Sequence, residues 1–207
     1  GKAYQIKMHE VPEGRRATKG KSIMNFLSLS SEEHITSVLA MGKDQKKENL
    51  SMLLVTKCGV AKRVSAPSFY DVRRSGLIAI KLTEGDQLIS ATFVEKGNEA
   101  TVVTALGQSI RFKASDIREM GRSATGVRAI KLRKGDWIIG AGVVPPSIKD
   151  PHILVLSEVG YGKRTKLREY KVQKRGGSGI KTAKVTPKTG KLMASRIVED
   201  AQGELVV

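Results

Sequence analysis

The densest chemistry in the sequence sits in seven residues, Gln173-Lys174-Arg175-Gly176-Gly177-Ser178-Gly179. Two cations precede glycines that can turn at positive φ without steric cost, so the stretch reads as a tight basic loop. Weaker versions recur at Arg15-Arg16-Ala17-Thr18-Lys19-Gly20, Arg73-Arg74-Ser75-Gly76 and Arg122-Ser123-Ala124-Thr125-Gly126. Such loops suit anion contact. Catalytic constellations are missing by comparison. Gly160-Tyr161-Gly162-Lys163-Arg164-Thr165 has the flavour of a phosphate loop, but Ser157 stands where its first glycine belongs and Arg164 where its hydroxyl belongs. A hairpin carrying two cations explains it better. No helical pattern follows Gly176 to Gly179, which excludes a dinucleotide fingerprint. His9, His34 and His152 are far apart, and Cys58 has no Cys or His neighbour, so no metal site is read. Asp86 and Asp136 each follow the glycine of a turn and are expected to cap it locally.

The charge balance sharpens this. Lys and Arg number 37 against 20 Asp and Glu, a net charge of +17. By segment the net values are +3 for 1–50, +2 for 51–100, +5 for 101–150 and +7 for 151–207, so no single tail holds the excess. A folded chain basic along its whole length reads first as a polyanion binder. Aromatic residues make up only 4%. Base stacking on aromatic platforms therefore gives way to contact with a duplex backbone, read by phosphate position and bendability. An acidic protein partner is the competing class.

With 40% hydrophobic residues the chain has the makings of a folded core. No apolar run of membrane-spanning length occurs. One cysteine cannot form an internal disulfide and leans towards a reducing compartment. The abrupt Gly1 and the apolar Leu205-Val206-Val207 suggest a piece of something longer.

The elements that must position the loops come in repeats. Paired glycines mark each copy: Gly1 with Gly20, Gly59 with Gly76, Gly107 with Gly126 and Gly160 with Gly179. The opening aliphatic runs, Met52 to Thr56, Thr101 to Thr104 and Ile153 to Ser157, read as strands ending in a glycine hairpin. A second strand follows, then one short helical turn within 65–72, 113–120 or 165–172. After the basic loop comes a third strand, Leu77 to Leu82 or Val127 to Leu132, and a fourth, Gln87 to Val94 or Trp137 to Val144. Four strands per unit of about 50 residues is the arithmetic of a β-propeller blade, in an all-β fold. A β-sandwich or a pair of small barrels is the alternative. The expected blocks are 1–44, 45–96, 97–149 and 150–198 of one repeat domain, joined by polar or Pro-rich linkers. Residues 199–207 would start a further block, and the first block lacks its opening strand.

On that frame the cations fall at repeating places. The set assigned to backbone contact is Arg15, Arg16, Lys19, Lys21, Lys62, Arg63, Arg73, Arg74, Arg111, Arg118, Arg122, Arg128, Lys163, Arg164, Lys166, Lys174 and Arg175. Equivalent positions would form a stripe around the rim. The alternative role for about half of them is that of solvated strand-edge residues that block aggregation, and a rim can do both.

GYGKRT, RRATKGKSIMNFL, SIRFKASDIREMGRSATGVRAIKL and VQKRGGSG together resemble the C-terminal DNA-wrapping domain of DNA gyrase A. The likeness runs through essentially the whole chain; the related topoisomerase IV domain, with more degenerate blades, fits less well. The resemblance implies a β-pinwheel in which neighbouring blades exchange strands, with about four of the family's six blades present. Gln173 to Gly179 resembles the family's basic heptapeptide, with Lys174 replacing an Arg and Ser178 a Lys. Repeat order places it in a later blade, so the family's own box is expected upstream of this chain. The resemblance further implies double-stranded DNA as partner, the rest of gyrase A together with gyrase B in a holoenzyme, and a bacterial cytoplasmic, nucleoid-associated location. It implies no catalytic residue and no cofactor in this segment, with ATP and Mg used elsewhere in the holoenzyme.

Overall fold

The computed structural model describes residues 1–42 and 49–199. Most of the linker expected at 42–49 between the first two blocks, and all but residue 199 of the further block expected at 199–207, lie outside the described residues. Residues 1–42 supply β1 (Lys2–Ala3) and two 3-10 turns. The second block supplies β2 (Ser51–Thr56), β3 (Val60–Ser65), β4 (Leu77–Ile78) and β5 (Leu88–Val94). The third supplies β6 (Glu99–Thr104), β7 (Gln108–Lys113), β8 (Val127–Arg128) and β9 (Ile138–Val144). The fourth supplies β10 (His152–Ser157), β11 (Gly162–Lys166), β12 (Ile180–Lys181) and β13 (Leu192–Val198). The expected helical turns are single 3-10 turns at Ala66–Phe69, Ala114–Asp116 and Leu167–Glu169.

The sheets run β5-β2-β3-β8, β12-β7-β6-β9, β11-β10-β13 and β1-β4, all antiparallel. The strand after each basic loop therefore pairs one block back: β4 on β1, β8 on β3 and β12 on β7. This corrects the expectation of a long third strand within its own block. Only two residues form a ladder because the next ones turn inward. Ala79, Ile80, Ala129 and Ile130 are buried, and their backbone amides seek partners there. Ala79 and Ile80 donate to Gly1 O, Ala129 to Gly59 O and Thr182 to Gly107 O. Gly1, Gly59 and Gly107 thus each receive the following block's chain. Gly126 lets the chain come this close. It sits at φ +110°, and a Cβ there would lie 2.7 Å from Ala61 O.

One irregularity recurs in the second, third and fourth blocks. The central strand shifts register at Val55/Thr56, Val103/Thr104 and Leu156/Ser157, just before each hairpin. The hydroxyls of Thr56, Thr104 and Ser157 then accept from the amides of Val60, Gln108 and Tyr161.

Alternate residues of each central strand feed different cores. Met52 and Leu54 pack with Val64, Phe69 and Ile80, whereas Leu53 and Val55 pack with Val102, Ile110, Phe112 and Ile130 of the third block. Val103 and Val144 in turn pack with Ile153, Val155 and Leu167. Both faces being buried, these strands read as unbroken aliphatic runs. β9 lies against both β5 and β13, with Gly142 so close to β13 that a Cβ would meet Ile197 Cγ1 at 2.7 Å. They form the inner edge of the array. β8 and β12, at the opposite end of their sheets, form the outer edge together with the basic loops that lead into them.

Candidate nucleic-acid interface

Most of the cation set is exposed and part of it is held by internal hydrogen bonds, Lys163 being both, since it donates to Thr182 O at 2.9 Å. Arg15, Arg16, Lys19 and Lys21 are exposed on the first block, and Arg73 and Arg74 on the second. Arg118 and Arg128 are exposed on the third block, Lys163, Arg164 and Lys174 on the fourth. Arg74 makes only a loose 3.8 Å pair with Glu10, and Lys166 lies 3.4 Å from Asp150. Arg122 is half-buried, and Arg63 is half-buried with its Nε enclosed.

Three members of the set are engaged by internal hydrogen bonds. Lys62 is fully buried. Its ammonium donates to Ala79 O at 2.8 Å and to Arg122 O, joining the second block to the basic loop of the third. Burial, with the Arg122 charge adding to it, pulls its pKa down to about 8. Arg111 clamps the third block to the fourth: Nε donates to Glu99 at 2.6 Å, and Nη1 to Leu167 O and Tyr170 O at 3.1 Å each. Arg175 donates from Nε to Asp116 O at 2.9 Å and from Nη1 to Arg128 O at 3.2 Å. Each supplies donors to backbone carbonyls across a junction between blocks.

The glycine-rich loop is held the same way. Gly176 N donates to Ala129 O at 2.6 Å, Gly177 O accepts from Lys131 N at 2.8 Å, and Gln173 N donates to Arg111 O at 2.8 Å. Ser178 and Lys174 stay exposed. Docking thus fixes the loop's backbone and leaves Lys174 as its free cation. In the third block Lys81 N donates to Ala124 O and Met120 N to Arg63 O, repeating the arrangement.

Sequence reasoning missed a set of exposed lysines. Lys81, Lys131 and Lys184 each stand five residues past a closing glycine, at 76, 126 and 179, and all three are exposed. That constant offset was the available signal. Asp86 and Asp136 do more than cap their own turns: Asp86 accepts from Cys58 N and Gln87 N, and Asp136 from Leu106 N and Trp137 N. They tie the fourth-strand turn to the hairpin. Among the described residues no group of three His, Cys, Asp or Glu could hold a metal ion, and no helix is long and apolar enough to cross a membrane.

Fold and surface together define a strand-exchanging, propeller-type repeat array with a basic outer edge. A family model described as DNA gyrase C-terminal domain, beta-propeller, matches residues 1–40, 51–95, 100–145 and 151–199, and the chain belongs to that family. DNA gyrase A of Lawsonia intracellularis is 40% identical over 200 residues, covering 97% of this chain and 24% of that protein. The Staphylococcus epidermidis gyrase A is 38% identical over 207 residues, covering 100% of this chain and 23% of that protein. The chain thus spans about a quarter of the length of these relatives. Among solved structures, a DNA gyrase A C-terminal domain superposes with TM-score 0.81 at 27% identity, over 97% of this chain and 63% of that one. A topoisomerase IV C-terminal domain gives TM-score 0.82 at 26% identity, over 93% and 59%.

Proposed function

We propose that the chain binds duplex DNA without sequence preference and bends it along the outer edge, as the wrapping element of a gyrase. The observation that carries this is the recurrence of exposed cations at equivalent outer-edge places in successive blocks. Each block then meets the backbone in turn. Bending a site of 20–30 bp costs on the order of 1–6 kcal/mol, which phosphate contacts from several blocks together offset. The wrap would present a neighbouring DNA segment to a cleavage gate built by the rest of gyrase A, with gyrase B supplying ATP-driven work. On this reading ATP and Mg act outside this chain, which contributes binding and curvature and no reacting group.

The test is a mobility shift of the 207-residue chain on mixed-sequence duplexes of increasing length, repeated over a salt series. With roughly two phosphates neutralised per block, about eight in all, the log–log salt slope is expected near −7. Affinity should rise with duplex length to beyond about 100 bp, longer than any straight contact could use. A slope shallower than about −2, or no duplex binding at all, overturns the proposal and leaves an acidic protein surface as the partner.

A further inference from the structure

Where the second block meets the third on the outer edge, an open surface hollow of about 430 Å³ is lined by Ser68, Asp71, Arg73, Ser75 and Arg122, among others. The two arginines come from the basic loops of different blocks. Neither guanidinium has a hydrogen bond or ion pair among the described residues. Two cations, two hydroxyls and one carboxylate leave the hollow net positive, with donors from both blocks. That is the chemistry of one tetrahedral oxyanion, which can take several donors at once. The buried Lys62 ammonium donates to Arg122 O and so fixes the backbone of Arg122. The next junction lacks this arrangement, because Arg175 there donates to Asp116 O and Arg128 O.

We propose that this hollow is a composite seat, lined by two blocks, for one phosphate of the duplex backbone, and that Lys62 is the positioning residue that holds Arg122 at it. The proposal rests on the duplex-binding reading above and adds a specific place to it. Because the seat needs two blocks, it reads the angle between them. A phosphate gripped here ties the DNA path to the curvature of the array, which scattered surface lysines do not do.

Salt-dependent duplex titrations of the 207-residue chain test it. Arg73→Ala and Arg122→Ala should each make the log–log slope shallower by about 0.9, one phosphate's worth. The double variant should lose the same about 0.9, since both side chains grip one phosphate. Arg73→Ala with Lys174→Ala should lose about 1.8, two separate contacts. Lys62→Gln should reproduce the Arg122→Ala loss and add nothing when combined with it, whereas a merely structural role would weaken binding in both backgrounds. Lys62→Arg, which keeps a buried cationic donor, should restore the slope. If Lys62→Gln fails to fold by circular dichroism, the two arginine variants and their double still decide. Losses at Arg73 and Arg122 that add to about 1.8, or that are absent, overturn the seat. So does inorganic phosphate that broadens its own phosphorus resonance and displaces duplex at low millimolar concentration, since the site would then serve a free anion. A wild-type chain that does not bind duplex fails the functional reading first, and is told apart by that.

Discussion

Arg111 and Arg73 look alike in the sequence, each a cation beside a repeat landmark, yet they answer to different measurements. Arg111 is only 19% exposed at its side chain and serves Glu99, Leu167 O and Tyr170 O. Arg111→Gln leaves those acceptors short of donors and should cost about 2–3 kcal/mol of stability. A thermal melt should show that loss while the duplex salt slope stays unchanged; a shallower slope with an unchanged melt would reassign Arg111 to the interface. Lys62 makes the related point through pH. Its folded-state value of about 8 lies below the ordinary lysine value of about 10.4. The unfolded chain therefore holds that proton more tightly. The cost of burying the charge is fully present below pH 8, and stability should rise from about pH 8 to pH 10. The matching observation is a Lys62 side-chain NMR titration near pH 8 that vanishes in Lys62→Gln. The sequence could not separate Lys62 from Lys163, because both stand third past a hairpin glycine in a Lys-Arg pair. What differs lies 60 residues away: Arg122 O covers Lys62, whereas Lys163 is exposed and donates to Thr182 O at 2.9 Å.

At the scale of elements, the repeat period made the first, second and fourth strands, the hairpins and the helical turns legible, while it overran the third strand, which forms only two residues of ladder. It did not reveal which copy each strand joins. A period describes what recurs along the chain, and β4, β8 and β12 recur faithfully whether they pair within a block or one block back. Only the likeness to a strand-exchanging family pointed to exchange, and the ladders β8 on β3 and β12 on β7 bear that out. The closing glycines carry the physical trace of it. Gly126→Ala must place a methyl 2.7 Å from Ala61 O while holding φ +110°. Gly135→Ala faces a φ of +74° with nothing within 4 Å of its Cβ. The second substitution should cost about 1 kcal/mol, the strain of a left-handed alanine alone. The first should cost clearly more and expose β8 amides to hydrogen exchange. Equal losses at the two positions would mean that the exchanged strand carries no special restraint.

For the whole molecule, exchange changes what counts as a folding unit. Between the third and fourth blocks the covalent link is the Pro145–Pro151 segment, but it is a small part of what joins them. β12 extends the sheet of β7, Thr182 and Ala183 donate to Gly107 O, and Arg111 and Arg175 bridge in opposite directions. Val103 and Val144 share one core with Ile153, Val155 and Leu167. Burial of apolar surface and these charged hydrogen bonds act on both sides of the link at once, so neither block should melt alone. A protease site inserted after Ser147 gives the decisive experiment. After complete cleavage the two fragments should elute together from gel filtration without denaturant and melt in a single transition. They should also keep the duplex salt slope of the uncut chain, since every exposed outer-edge cation keeps its place. Fragments that part in native buffer would show that the blocks are held together by the chain, and that the outer edge is a string of separate contacts rather than one rigid curved track.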